Sequence, residues 1–130
     1  MTGIIKGRFD QASDVRPFAD GKGHLSMLDM GGMPVGRAVF EPGWRWSDHV
    51  KPIAGTTSCR AAHAGYVMSG HLTVRMDDGS EENFDPGDVM VVAPGHDAWV
   101  VGPEACVMID WQGAVDYAKP HGAASGAATA

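Results

Sequence analysis

Leucine is scarce in this 130-residue chain: three residues against thirteen valines. That ratio argues against a helix bundle and for pleated sheet, where β-branched side chains pack well. Cysteine occurs twice, Cys59 and Cys106, too few for a secreted disulfide scaffold, although sequence alone leaves their pairing open. No apolar run approaches the ~20 residues that span a bilayer, and Met1 to Asp10 holds no apolar stretch of signal-peptide length. No cluster of Lys and Arg is present, and ten basic against sixteen acidic side chains leave a net charge of −6. Such a chain repels phosphate backbones, which argues against nucleic-acid and anionic-membrane partners. A reduced, cytoplasmic protein is expected. No period of solenoid length recurs.

The length suits one domain. Eighteen glycines and eight prolines punctuate it. Strands are expected over Gly3–Phe9, Leu25–Met30, Met33–Glu41, His63–Ser69, His71–Met76, Ser80–Phe84, Val89–Ala93, Ala98–Val101 and Ala105–Trp111, with turns at Asp20-Gly21, Gly31-Gly32, Gly70, Asp78-Gly79, Asp85-Pro86-Gly87-Asp88 and Pro94-Gly95. Residues 44–61 have no steady period and read as a long irregular segment, which in compact domains is more often functional than idle. Residues 114–119 could form one helical turn. Short strands separated by frequent turns predict an all-β, antiparallel sandwich or barrel. Residues 1–23 read as an N-terminal strand or arm, 24–119 as the barrel domain and 120–130 as a flexible tail.

Pro42-Gly43, His63 with Gly70 seven residues on, Gly87-Asp88 and then Pro94-Gly95 together resemble the two motifs of the cupin family, over about residues 33–111. The resemblance implies a jelly-roll barrel of six to eight strands, a homodimer, and a metal held inside the barrel. In that family the first motif reads His-x-His, three or four residues, Glu, then six residues and Gly. Counted back from Gly70, His63 stands where the glutamate is expected, Cys59 at the second histidine and Thr57 at the first. Counted on from Gly87, Ala98 takes the histidine position of the second motif and His96 falls two residues earlier.

Cys59 and His63 are four apart, so an extended backbone points both to one side. His96 shares parity with Ala98 and can reach the same interior point. One thiol and two imidazoles with an open fourth position suit a divalent metal: Zn, Fe, Ni, Mn or Cu. His49 is a candidate fourth ligand. The bland alternatives are a buried, inert Cys59, two hydrogen-bonded histidines without metal, and a plain turn at His96-Asp97. Thr57, Tyr66, Ala98 and Trp99 are expected to line a substrate pocket. Arg60 and Arg75 could hold a carboxylate or simply pair with acidic neighbours. His24, His71 and His121 are assigned to the surface or strand faces, Cys106 to the core. Two functions follow: a metal-dependent enzyme (oxygenase, isomerase or hydrolase) acting on a small oxygenated substrate, or a metal-free module that binds or senses a small ligand. A redox role for Cys59 is a third.

Overall fold

A computed structural model describes residues 3–112 and 117–119. Nine strands form two antiparallel sheets. They are β1 (Asp14–Pro17), β2 (Gly23–Met30), β3 (Met33–Phe40), β4 (His63–Ser69), β5 (His71–Met76), β6 (Glu81–Phe84), β7 (Val89–Val92), β8 (His96–Val101) and β9 (Cys106–Gln112). The larger sheet runs β1-β2-β3-β9-β4-β7 and the smaller β6-β5-β8, the double-sheet arrangement of a jelly roll. Among the described residues no helix is long and apolar enough to cross a membrane.

Alternation decides which side chains enter the space between the sheets. In β4, His63, Gly65 and Val67 are buried while Tyr66 and Met68 are exposed. In β8, His96 and Ala98 are buried. Leu25, Ala38, Phe40, Met90 and Met108 from the large sheet meet Leu72, Val74 and Ala98 from the small one in a single core. Burial of such side chains contributes roughly 1.5–3 kcal/mol each.

Gly70 turns β4 into β5 at φ 76°. A Cβ there would collide with the carbonyl oxygen of Ala105, which is backbone and cannot swing aside. Gly70→Ala is expected to cost roughly 2–5 kcal/mol, the sum of a left-handed backbone and an overpacked contact. Urea unfolding checks this; a loss below about 1 kcal/mol means the turn can relax.

The strand expected at Gly3–Phe9 is not formed. Residues 3–8 are irregular and Phe9–Gln11 is a 3₁₀ turn. Ile4 and Ile5 are adjacent, so a strand would send them to opposite faces, and both are exposed. The first strand is instead the polar Asp14–Pro17, an edge strand paired with β2, and its Pro17 is tolerated because it lies at an edge. The irregular segment carries two single-turn helices, α1 (Trp46–His49) and α2 (Lys51–Ala54), too short to show a period. Cys59 and Cys106 are separate free thiols. Trp111 is half exposed. Of the expected turn at 114–119, residues 117–119 are described; His121 and the tail from 120 lie outside the described residues.

Candidate metal centre

Cys59 reaches the interior because the loop before β4 is tied to the start of β8. Its N–H donates to the His96 carbonyl (2.8 Å) and its carbonyl accepts from the Gly95 N–H (2.7 Å), an isolated bridge outside the sheets. Ser58 adds a hydroxyl bond to Asp77 (3.0 Å). His63 enters from β4 and His96 from β8, both on inward positions. One donor atom from each of Cys59, His63 and His96 lies within 4.8 Å of the other two, and all three residues are buried.

Each imidazole is anchored at Nδ1. His63 Nδ1 donates to Asp110 Oδ2 across 2.6 Å, and His96 Nδ1 donates to the Ala93 carbonyl across 2.8 Å. A carbonyl can only accept, so neutral His96 keeps its proton on Nδ1 and its lone pair on Nε2. His63 Nε2 stands 3.7 Å from Cys59 Sγ, close to the ~3.6 Å edge of a tetrahedron built from zinc–sulfur and zinc–nitrogen bonds. Histidine ligands of metals are held in this way, with the second nitrogen given to a carboxylate or backbone carbonyl.

The electrostatics pair the first two groups. Burial pushes the Cys59 thiol up, but hydrogen bonds from His63 and His96, and their positive charge, bring it down to about 6. Burial pushes His63 down; the hydrogen bonds and negative charge of Asp110 and Cys59 outweigh it and carry it to about 10. Without a metal, the neutral-pH state is a thiolate beside an imidazolium. Cys106, with burial and no such partner, is pushed up to about 12.

The cluster adjoins a partly open cavity of about 30 Å³, lined by Leu25, Ala38, Phe40, Trp44, Trp46, Leu72 and Val74 among others, with His63, His96, Asp110 and Tyr117 as its polar residues. Tyr117 sits edge-on to His63 (centroids 5.3 Å) and to Phe18 (6.0 Å), and its carbonyl accepts from Arg16 Nη1 at 2.9 Å.

The remaining expected site residues scatter. His49 is buried on α1 but turns away: its Nδ1 bonds the Arg45 backbone N–H (3.0 Å) and its Nε2 faces Asp20 (3.9 Å). Among the expected pocket residues Ala98 lines the cavity, whereas Thr57, Tyr66 and Trp99 do not. Thr57 lies exposed in the loop. Tyr66 and Trp99 are one residue out of phase with the inward positions, so the pleat sends them outward; Trp99 carries the Arg45 guanidinium over its ring at 4.4 Å. Arg60 faces Asp77 and Arg75 faces Glu81. Asp110 and Tyr117 were not singled out from the sequence. Asp110 did leave a signal: it shares the inward parity of Cys106 and Met108, and a carboxylate on an apolar face demands a partner.

No family model and no curated protein matches the sequence. Solved structures do. An RmlC-like cupin from Shewanella frigidimarina NCIMB 400 superposes with a TM-score of 0.55 at 20% identity, over 80% of this chain and 85% of that one. This is the cupin fold. A protein with a double-stranded β-helix domain from Klebsiella pneumoniae MGH 78578 gives a TM-score of 0.55 at 22% identity, over 87% and 92% of the two chains. A sugar phosphate isomerase of the cupin superfamily from Silicibacter pomeroyi DSS-3 gives 0.56 at 19%, over 81% and 73%. On the cupin fold, the three donors of this chain occupy the space between the two sheets.

Proposed function

We propose that this cupin binds one divalent metal of the zinc class through Cys59 Sγ, His63 Nε2 and His96 Nε2, and acts as a metal-dependent enzyme on a very small oxygenated substrate. The observation that carries this reading is the matched anchoring of both imidazoles at Nδ1, which leaves both Nε2 atoms to serve as donors beside the Cys59 sulfur once His63 gives up its proton. A thiolate with two imidazoles favours Zn, Cu, Ni or Fe over the oxygen-seeking Mn. Three protein ligands and one open position is the pattern of catalytic rather than structural zinc. A metal held there lowers the pKa of a bound water to about 7 and polarises a substrate oxygen. Asp110 fixes the tautomer and direction of His63, and the Ala93 carbonyl does so for His96. Tyr117 and the apolar lining keep bulk water from the donors. Reactions within reach of such a site are hydrolysis, isomerisation or oxygenation.

The cavity volume weighs against the metal-free module. Pockets that hold metabolites run to ~300–1,000 Å³, ten times the about 30 Å³ here, so without a rearrangement the space beside the donors takes only a ligand of two or three non-hydrogen atoms. Metal analysis of tag-free protein purified without chelator tests the proposal. One equivalent of zinc-class metal is expected, falling below about a tenth of an equivalent in Cys59→Ala and in His63→Ala. Metal that is substoichiometric and indifferent to both changes refutes the site.

A further inference from the structure

Among the described residues only two buried side-chain nitrogens or oxygens lack a hydrogen-bond partner, Arg37 Nε and Trp44 Nε1. Arg37 lies under Phe9 and beside Asp10, away from the cavity. Trp44 lines the cavity, together with His63 and His96. Its indole is 1% exposed and packed against Phe40 (centroids 4.1 Å) and Phe18 (5.9 Å). Its backbone is fixed at both ends, with N–H on the Glu41 carbonyl and its carbonyl accepting from Val100 N–H. The ring therefore cannot turn cheaply to find an acceptor. A buried N–H left without one costs about 1–3 kcal/mol, and native proteins leave few such groups except where an ion, a water or a ligand completes them.

We infer that Trp44 Nε1 is the recognition donor for a small anion seated in this cavity against the Cys59/His63/His96 cluster. The inference rests on the metal reading for the sign of the charge: a divalent ion with one thiolate and two neutral imidazoles keeps a net charge of about +1, and the walls are otherwise apolar. An anion with an acceptor atom turned to the indole satisfies both the residual charge and the orphan donor. The volume sets its size. Water requires at least ~10–15 Å³ of such space, so about 30 Å³ holds two or three non-hydrogen atoms. The ligand class is thus hydroxide, azide or formate in size, and a benzoate-sized anion is shut out by Phe40, Trp46 and Leu72. Trp44 is then a specificity residue: it touches the ligand and the metal donors do not depend on it.

Cobalt-loaded protein provides the test, because its visible spectrum reports ligands at the ion without any assay of turnover. Azide and formate are expected to shift the spectrum saturably, and benzoate to leave it unchanged. In Trp44→Phe the azide dissociation constant is expected to rise about ten-fold or more, the scale of one hydrogen bond to a charged group, with cobalt stoichiometry preserved. Equal azide affinity in wild type and Trp44→Phe, with cobalt retained, overturns the inference alone. Failure of the wild type to take up cobalt overturns the metal reading instead. If Trp44→Phe does not fold, a crystal structure of the wild type soaked in formate decides: a formate oxygen about 2.7–3.2 Å from Trp44 Nε1 supports the inference, and an indole N–H facing only carbon refutes it.

Discussion

Asp110→Asn is expected to weaken metal binding about 10–100-fold while leaving all three donor atoms in place. Asp110 touches no donor atom directly; it accepts the Nδ1 proton of His63 and so fixes which nitrogen faces the cluster. Losses of that size are typical when the partner behind a ligating histidine is changed. The same substitution acts on the metal-free fold. With Asp110 neutral, the His63 imidazolium loses the nearer of its two buried counter-charges, the Cys59 thiolate remaining 3.7 Å away, and breaking such a pair costs at most roughly 3–5 kcal/mol. The imidazole can limit that loss by shedding its proton. Urea unfolding of metal-free protein near pH 7 is expected to show a loss of up to about 3–5 kcal/mol. Above pH 10, where wild-type His63 is itself neutral, the difference should shrink to about 1 kcal/mol, one ordinary hydrogen bond. A loss that does not vary with pH points to packing, and metal affinity unchanged within two-fold denies Asp110 its positioning role.

In metal-free protein the Cys59 thiolate is expected to titrate with a midpoint of about 6, seen as ultraviolet thiolate absorbance. His63→Ala should move that midpoint upward, because it removes the largest of the favourable hydrogen bonds and leaves burial, which pushes the thiol up, opposed by His96 alone. Linkage follows with definite signs. Cys59 has a depressed folded value, so its contribution to stability is complete above about 9 and is lost as pH falls through about 6. His63 has a raised one, so its contribution is complete below 6.5 and is lost as pH rises through about 10. Across the interval from 6.5 to 9 one gain cancels the other loss, and the pair predicts a stability plateau there with a decline on either side. Cys59→Ser should flatten the acid limb. Should the wild-type thiol instead titrate near 9, no thiolate–imidazolium pair exists before metal arrives.

Much of the fold was legible. The limits of β4 and β5 are the expected ones to the residue, because Gly70 and Asp78-Gly79 punctuate them and polar and apolar residues alternate through β5. Convergence of Cys59, His63 and His96 was also legible, from even spacing and from the parity His96 shares with Ala98. The same rule separates Tyr66 and Trp99 from the inward positions. Tyr66 lies three residues from His63 and Trp99 three from His96, odd separations that send them to the outer face. His49 could not be read at all, since a four-residue helix in an aperiodic segment has no phase to extrapolate.

The amino-acid order by itself determined an antiparallel β-fold and which side of each strand faces inward, since turn residues and a two-residue period are local properties of the backbone. Only the tertiary structure decided that Asp110, from a strand 47 residues downstream, closes on His63; that Tyr117 packs edge-on to His63; and that the hollow left beside the donors is only about 30 Å³. Those outcomes depend on the gap between two sheets and on every side chain that fills it, a sum over the whole chain that no short stretch of sequence contains.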